Sequence, residues 1–361
     1  MLSKRIINRR IGGDFELSDK ILLGKEFNNQ KYFYSEKKYI AFTDTGRSAI
    51  FLALKQIINK SNRTAWVPFY SCSTIIEPFF QLGFKINYYG MGDDLNTPKG
   101  LPDDINGAVI LFIHYLGKEN ISIVSYINTQ RNKGNKFFVI EDKVQTCLST
   151  NFGKHGDFTI DSMRKFLPVP DGAVLKSDKP IKNSCSPPSE SFISAKILSK
   201  LIRGYGGLDN VFLGLYEEGE EIINHKIIPR KISKVSEFLL SRINVKEIQK
   251  KRIKNWIKML NAFNCDLNKS ELFTPLFNSL NKNEVPLGFT IKVKDGQRDN
   301  FKEHLHNHQI YCPIFWHLSD IKHPNSYQPD LKLSECILTI PVDHRLNDNL
   351  LNYLAQVIKK F

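Results

Sequence analysis

The stretch from Ile140 to Leu175, IEDKVQTCLSTNFGKHGDFTIDSMRKFLPVPDGAVL, contains the features on which the fold and the chemistry of this chain depend. It begins with the end of an apolar run and an acidic pair, and it continues through a polar loop to Lys165. Pro168 and Pro170 follow shortly afterwards, and because each proline fixes φ, the backbone here has little freedom. Schiff-base chemistry requires a fixed amine, and neighbouring cations or partial desolvation can make a lysine nucleophilic. The stretch therefore predicts a reactive lysine, although most loop lysines are simply solvated.

Glu141 and Asp142 come directly after the apolar run FFVI at 137–140. Such a run is typical of a strand buried in a parallel sheet. Open α/β sheets bind ligands beyond the carboxyl ends of their strands. Predicted strands and helices alternate from residue 39 to residue 142, which favours a three-layer α/β sheet. We therefore expect Asp142 at the ligand-binding edge of that sheet.

A candidate phosphate site lies further upstream, where a short apolar strand at 39–42 runs into TDTG and then into apolar residues at helical spacing. A glycine at a strand-to-helix junction lets backbone N–H groups approach an anion, and the helix N-terminus adds positive potential. Gly46 and Arg47 are the candidate ligands. An ordinary helix cap explains the same pattern nearly as well.

The overall composition limits the remaining possibilities. With 361 residues, 41% of them hydrophobic, the chain is long enough for two domains, or for one large domain with an appendage. It contains no apolar run of membrane-spanning length and no secretory signal pattern, so a cytoplasmic location is expected. Its six cysteines lack C-x-x-C spacing, so no metal site is predicted. The net charge of +14 is dispersed without a nucleic-acid-binding motif, so no nucleic-acid partner is expected.

Seven residues of the first stretch follow the order E-D-x-x-Q, then G-D, then S-x-x-K. They are Glu141, Asp142, Gln145, Gly156, Asp157, Ser162 and Lys165. This order resembles the pyridoxal phosphate (PLP) site of the DegT/StrS-type sugar aminotransferases, and TGRSAI at 45–50 is similar to their S-G-T-x-A-L motif. Each motif is weak in isolation. The resemblance nevertheless extends over almost the whole chain, up to the I-L-x-x-P pattern at 337–341.

The resemblance implies the α/β fold of the aspartate aminotransferases, which is known as fold type I. A three-layer αβα PLP-binding large domain with an N-terminal arm would cover residues 1–240. A smaller C-terminal α+β domain would cover residues 241–361. A single long helix between 229 and 263, where apolar residues recur near helical spacing, is expected to join the two. Gly12 and Gly13 of the arm would form a turn or approach the ligand.

The resemblance also implies roles for individual residues around the cofactor pyridoxal 5'-phosphate. Lys165 would bind the cofactor aldehyde covalently and would then act as the general base between the donor carbon and the cofactor carbon. Asp142 would pair with the protonated ring nitrogen, and Gln145 would contact the oxygen side of the ring. The expected phosphate ligands are Ser162 and the backbone amides of Gly46 and Arg47, with the Arg47 charge as a further contribution.

Two positions depart from the family pattern. Where the family commonly places an aromatic ring on the cofactor face, this chain has Cys72, with Tyr70 two residues earlier. Either Tyr70 covers the cofactor ring or the cover comes from elsewhere. Before the long helix the family has N-x-R-M-S, whose asparagine reaches the cofactor phosphate of the partner subunit. This chain has IIPRKIS at 227–233 instead, so Arg230 or Lys231 is the candidate replacement.

Three further residues are candidate substrate contacts. His114 lies at the carboxyl end of the apolar run at 108–113 and resembles the histidine of the family's H-x-y-G pattern. Trp316 and His317 belong to a stretch, I-Y-x-P-x-x-W, that resembles the family's C-terminal domain. A lone histidine after a strand is more often structural than catalytic, and a tryptophan is more often part of the core.

On this basis we expect a homodimeric PLP-dependent aminotransferase. It would transfer an amino group from an amino-acid donor, with glutamate as the expected one, to a nucleotide-linked keto-sugar in polysaccharide or amino-sugar biosynthesis. Two alternatives stay open. The first is a non-catalytic binding or regulatory protein on the same fold. The second is a PLP-dependent sugar-modifying enzyme of another reaction type, such as the related dehydratases, although these have histidine where this chain has Lys165.

Overall fold

The chain folds around a seven-stranded sheet, because several short runs of apolar, β-branched and aromatic residues form buried strands. The computed structural model describes residues 10–33, 37–182, 184–206, 208–224, 226–264, 271–294, 296–318 and 327–361. The strands within these ranges are β1 (Ile11–Gly12), β2 (Tyr39–Thr43), β3 (Thr64–Pro68), β4 (Lys85–Tyr89), β5 (Val109–Ile113), β6 (Phe138–Asp142), β7 (Phe158–Ser162), β8 (Ala173–Ser177), β9 (Phe273–Pro275), β10 (Phe289–Val293), β11 (Ile310–Tyr311) and β12 (Ile337–Ile340).

The helices alternate with these strands through the first half of the chain. In order, they are α1 (Asp19–Leu22), α2 (Gln30–Phe33), α3 (Gly46–Ile57), α4 (Ser73–Gln81), α5 (Ile121–Asn132), α6 (Glu190–Gly204), α7 (Asp209–Asn224), α8 (Lys234–Arg242), α9 (Val245–Ala262), α10 (Arg298–Asn307), α11 (Gln328–Cys336) and α12 (Asp348–Lys359). Among the described residues, no helix is both long enough and apolar enough to cross a bilayer.

The central sheet has the strand order β2-β8-β7-β6-β5-β3-β4. β8 runs antiparallel to both of its neighbours, whereas the strands from β7 to β4 are parallel. All five residues of β5 are buried, and α3 packs against β6, β7 and β8. Parallel pairing brings the carboxyl ends of β6 and β7, which carry Asp142 and Ser162, to the same edge of the sheet. The predicted α/β fold with a mostly parallel sheet is confirmed.

The C-terminal part has its own antiparallel sheet, β12-β10-β9. A second hydrophobic core surrounds this sheet and includes Trp256 of α9, Phe301 of α10 and Leu354 of α12. This arrangement has the α+β character that the sequence predicts. α11 is not among the predicted elements, because its few apolar residues give only a weak helical pattern.

The prediction of one long joining helix is wrong, because the chain forms two helices with a break between them. Ile243 has an extended backbone (φ −90°, ψ 126°) and a buried side chain. Asn244 then caps α9 by accepting a hydrogen bond from the backbone N–H of Glu247 at 3.1 Å. Asn29 Nδ2 donates to the carbonyl oxygens of Leu240 and Ile243, both at 2.8 Å. Because these carbonyls already have hydrogen-bond partners, α8 can end here.

The N-terminal arm is held against the C-terminal part. β1 pairs in parallel with β11, so that Gly12 lies opposite Tyr311. Gly12 has a φ of +84°, and a Cβ at this position would lie 2.3 Å from the carbonyl oxygen of Tyr311. The Gly12 carbonyl also accepts a hydrogen bond from Arg203 Nη2 at 2.7 Å. Only glycine permits this close approach, so Gly12 fixes the path of the arm.

Gly12→Ala is expected to lower the free energy of unfolding by about 2–4 kcal/mol, because the clash with Tyr311 adds to the cost of a left-handed backbone. Gly134→Ala is the matched control, since Gly134 has a φ of +86° and, among the described residues, nothing lies within 4 Å of an added Cβ. The control should lose only about 1–2 kcal/mol. Urea denaturation of both variants provides the measurement, and equal losses would contradict the tight packing of the arm.

Candidate active site

A cavity of about 840 Å³ lies at the carboxyl edge of the central sheet. Its walls come from the ends of β6 and β7, the N-terminal arm, α6 and α7, and the segment 310–316. The predicted site residues that line this cavity are Gly46, Arg47, Cys72, Asp142, Gln145, Ser162, Lys165 and Trp316. The predicted residues Tyr70, His114 and His317 do not line it.

Lys165 is exposed at the end of the short 3₁₀ turn that follows β7. Its Nζ lies 5.8 Å from the centroid of the Phe315 ring. It has no ion-pair partner in the described part of the chain. The turn itself is anchored, because the Met163 N–H donates to the Gly172 carbonyl at 3.1 Å. The amine therefore enters the cavity from a fixed base and is available to a ligand.

Asp142 ends β6 and is only 2% exposed. Its Oδ1 accepts a hydrogen bond from the Val144 N–H at 2.8 Å. Burial raises the pKa of Asp142 to about 7; the Val144 hydrogen bond and the Lys165 charge oppose the shift, and nearby Asp161 adds to it. A carboxylate at this position is stabilised only when a cation contacts it. The site therefore suits a ligand that presents a protonated ring nitrogen.

Gln145 is 2% exposed and follows Asp142 by three residues. Its Oε1 accepts a hydrogen bond from the Leu116 N–H at 2.8 Å, which fixes the orientation of the amide. Its buried Nε2 has no hydrogen-bond partner among the described residues. A buried donor without a partner costs free energy. Because Gln145 lines the cavity, a ligand oxygen can satisfy this donor.

The phosphate side of the cavity is the N-terminus of α3. Thr45 caps this helix, since its Oγ1 accepts a hydrogen bond from the Ser48 N–H at 3.2 Å. Thr45, Gly46 and Ser162 all line the cavity. A helix N-terminus beside a serine hydroxyl is a suitable site for a phosphate. A Cβ on Gly46 would meet only Val144, at 3.4 Å, so glycine leaves room here without being strictly required.

The side chain of Arg47 is already engaged. Its Nη1 donates to Glu77 Oε2 at 2.7 Å, and its Nη2 donates to Asn224 Oδ1 at 3.1 Å. The expectation that the Arg47 charge adds to the phosphate site is therefore corrected, because Glu77 neutralises it. The backbone amide of Arg47 stays a predicted phosphate ligand.

Tyr70 does not cover a ligand in the cavity. It is fully buried, its hydroxyl donates to the Phe315 carbonyl at 2.6 Å, and its ring packs edge-on against Tyr115. The cavity wall at this point is formed instead by Cys72, just before α4, and by Trp316. Of the two possibilities that the sequence left open, the one that relies on Tyr70 is wrong.

His114 has a structural environment. It is fully buried, its Nε2 lies 2.8 Å from Glu141 Oε1, and its Nδ1 accepts from the Asn120 N–H at 3.0 Å. Burial alone would raise the pKa of Glu141, but the contact with His114 and backbone N–H donors lower it to about 2. The pair fixes the loop between β6 and β7. The predicted substrate role of His114 is therefore corrected. That of the exposed His317, which does not line the cavity, stays a prediction.

The inner wall of the cavity is charged, a feature that the sequence motifs did not predict. Lys196, Lys200 and Arg203 recur at i, i+4 and i+7, so one face of α6 carries all three. Burial lowers the pKa of Lys196 to about 8, although Glu220 opposes the shift. The spacing of these three residues could have indicated a basic helix face. Their carboxylate partners could not be identified from the sequence, because they lie elsewhere in the chain. Three pairs on this wall are Arg164–Glu220 at 2.5 Å, Lys196–Glu220 at 2.6 Å and Lys200–Asp14 at 2.7 Å.

Sequence comparison alone finds no counterpart: no protein-family model and no curated protein matches this chain. Structural comparison does find counterparts. The aminotransferase PseC of Helicobacter pylori, involved in the biosynthesis of pseudoaminic acid, matches with a TM-score of 0.69 and 13% identity, over 97% of this chain and 98% of PseC.

Two further structures agree with that match. A DegT DnrJ EryC1 StrS aminotransferase from Brucella abortus has a TM-score of 0.62 and 13% identity, over 96% of this chain and 91% of its own. NtdA from Bacillus subtilis, with bound cofactor PMP, has a TM-score of 0.64 and 16% identity, over 96% of this chain and 78% of its own. The expected fold is thus confirmed over nearly the full length, and this chain has the fold of the DegT/DnrJ/EryC1/StrS sugar aminotransferases.

Proposed function

We propose that this protein is a PLP-dependent aminotransferase that transfers an amino group from glutamate to a nucleotide-linked keto-sugar. One observation carries the proposal. A single cavity contains a buried carboxyl group with a raised pKa, together with a lysine amine and a buried amide donor that have no partner among the described residues. Each of these groups needs what PLP offers, namely an aldehyde, a protonated ring nitrogen and a ring oxygen.

Pyridoxal 5'-phosphate supplies an electron sink that stabilises negative charge on the carbon bearing the amino group. Lys165 would hold the cofactor and, once the donor has displaced it, move a proton from the donor carbon to the cofactor carbon. Asp142 would keep its charge beside the ring nitrogen, and Gln145 Nε2 would donate to the ring oxygen. The N-terminus of α3 and Ser162 would hold the phosphate.

The choice of substrate rests on the resemblance and on the names of the neighbouring structures, several of which are sugar aminotransferases. The net charge of +14 favours an anionic acceptor such as a nucleotide-linked sugar in polysaccharide or amino-sugar biosynthesis.

We also propose a cytoplasmic homodimer. Arg230 Nη1 donates to the Pro187 carbonyl at 3.2 Å, and Arg230 or Lys231 would take the place of the asparagine that reaches the partner's phosphate.

A non-catalytic binding protein is the second candidate. The observation that favours it is Cys72, which lines the cavity where the related enzymes commonly have an aromatic ring on the cofactor face. A thiol covers less of a ring and holds it less firmly. Turnover of glutamate to 2-oxoglutarate separates the two candidates, because only the aminotransferase consumes its donor.

Purified protein with added PLP is expected to show a visible absorption band, and Lys165→Ala is expected to abolish it, because no other amine is proposed to bond to the aldehyde. Lys154→Ala, an exposed loop lysine outside the cavity wall, is the control and should retain the band. Absorbance spectra at saturating PLP give the measurement. A colourless wild type in excess PLP would count against the proposal, and a band without glutamate turnover would favour the non-catalytic candidate.

Gln145→Glu is expected to weaken PLP binding roughly tenfold or more, because it replaces the Nε2 donor with an oxygen and keeps the acceptor for the Leu116 N–H. Gln130→Glu, on α5 and outside the cavity, is the control for the same chemical change. Titration of each apoprotein with PLP, followed by absorbance, gives the dissociation constants. Equal constants for Gln145→Glu and wild type would remove Gln145 from the site.

Asp142→Asn is expected to stabilise the cofactor-free protein at pH 8 by up to about 4 kcal/mol, while it impairs PLP function. A pKa raised to about 7 means that the folded state binds the proton more tightly than the unfolded chain. The wild type therefore loses stability as the pH rises from about 4 to about 7, whereas the Asp142→Asn variant does not. Urea denaturation of both apoproteins at pH 5 and pH 8 measures this. A variant that is less stable than wild type at pH 8 would show that Asp142 is not strained by burial.

A further inference from the structure

Asp171 is a buried carboxylate that the proposed chemistry does not use. It lies in the turn that follows Lys165, between Pro170 and Gly172. Its side chain is fully buried, and it does not line the cavity, although Pro170 does. An aspartate is rarely buried to this extent without strong partners, so its position calls for an explanation.

The partners of Asp171 lie at the N-terminus of α8. Its Oδ2 accepts a hydrogen bond from the Ser233 N–H at 2.9 Å, and its Oδ1 accepts from the Ser233 hydroxyl at 2.6 Å and from the Ser236 hydroxyl. Burial raises the pKa of Asp171, whereas the hydrogen bonds from Ser233 and Ser236 oppose the shift. A carboxylate is favoured at a helix N-terminus, where N–H groups lack partners within the helix. Asp171 therefore fastens the start of α8 to the turn.

Backbone hydrogen bonds connect the same turn to the residues that precede α3. The Gly172 N–H donates to the Asp44 carbonyl at 2.6 Å, and the Asp44 N–H donates to the Arg230 carbonyl at 3.0 Å. Arg230 precedes Ser233 by three residues. Three segments that are distant in sequence thus meet around Asp171, and its carboxylate is the side chain that joins the turn to α8.

The packing of these segments is tight. Gly172 has a φ of +125°, and a Cβ at this position would lie 3.1 Å from Ile232 Cδ1 and 3.1 Å from Met163 Cε. Both of those side chains are buried. Because close-packed interiors transmit displacements, a shift of the segment before α8 would move the turn as well.

Both ends of the proposed PLP site are bonded to these segments. The Gly172 carbonyl accepts the hydrogen bond from the Met163 N–H that anchors the turn of Lys165. Asp44 Oδ1 accepts from the N–H of Thr45 at 2.8 Å, and Thr45 is the N-cap of α3. The lysine amine and the phosphate end of the site therefore depend on the same few hydrogen bonds.

We propose that Asp171 is a positioning residue, which fixes the Lys165 amine and the N-terminus of α3 relative to each other by holding the start of α8. This inference rests on the proposed aminotransferase function. Asp171 acts through Gly172 and Asp44 and does not itself contact the cofactor. A ligand that is held at two ends loses affinity when either end is displaced. Removal of the Asp171 carboxylate should therefore weaken binding at both ends.

The test uses one probe for each end of the site and PLP for both. Pyridoxal, which has the aldehyde without the phosphate, is followed by its visible absorption, and inorganic phosphate is followed by calorimetric titration. Asp171→Ala is expected to weaken the binding of pyridoxal and of phosphate about threefold each, and the binding of PLP about tenfold. Ser236→Ala removes one partner of the carboxylate and should cause smaller losses with all three ligands. The double variant should bind no more weakly than Asp171→Ala alone, because the two side chains act through one contact.

Asp330→Ala is the matched control. Asp330 is a buried carboxylate outside the cavity, and it accepts hydrogen bonds from the N–H groups of Met91 at 2.8 Å and Gly92 at 3.2 Å. Its removal should lower the free energy of unfolding, as the removal of Asp171 does, and should leave the affinities for all three ligands unchanged. Urea denaturation of each variant gives the stability that accompanies each affinity.

Wild-type affinities in Asp171→Ala, with stability alone reduced, would overturn the inference. So would a loss with only one of the two probes, because the ends would then be independent, and so would equal losses in Asp330→Ala. Should circular dichroism show that Asp171→Ala does not fold, Ser236→Ala decides by the same criteria, and its failure to fold as well would give the contact a purely structural role. A wild type without the visible band in excess PLP would contradict the proposed function, whereas a wild type with the band and variants with unchanged affinities would contradict this inference alone.

Discussion

The parallel pairing of β6 with β7 is the constraint on which the site depends. It sets Asp142 opposite Ile160 and brings the carboxyl ends of both strands to one edge. The turn that carries Lys165 begins directly after β7, and its anchoring bond to Gly172 leaves it little freedom. A carboxylate and an amine from separate parts of the sequence are therefore held around one cavity by the ladder of the sheet. Side chains on strand ends are positioned more accurately than side chains on free loops.

Two buried groups in this cavity are costly to the protein when nothing is bound. Asp142 is a carboxyl group whose charge burial disfavours, and the amide donor of Gln145 has no partner among the described residues. In a core without function, such groups would be replaced by apolar residues or given partners. Their concentration in a single cavity is what a preorganised binding site requires, because the ligand supplies the missing contacts.

The sequence predicted what local patterns determine. The apolar runs gave the strands, and the order of motifs around Lys165 identified the amine and the carboxylate that share the cavity. It failed where a remote contact decides the outcome. The end of α8 depends on Asn29, which is more than two hundred residues away in the chain. The inward packing of Tyr70 depends on the Phe315 carbonyl.

The most direct test of the account is to find which lysine carries the cofactor. Borohydride reduction of the PLP-loaded protein, followed by proteolysis and tandem mass spectrometry, fixes the cofactor to its lysine and identifies that residue. The account predicts a phosphopyridoxyl group on Lys165, at near-complete occupancy, with other lysines unmodified at stoichiometric PLP. Modification of another lysine in preference to Lys165, or none above the level of a surface lysine, would contradict it.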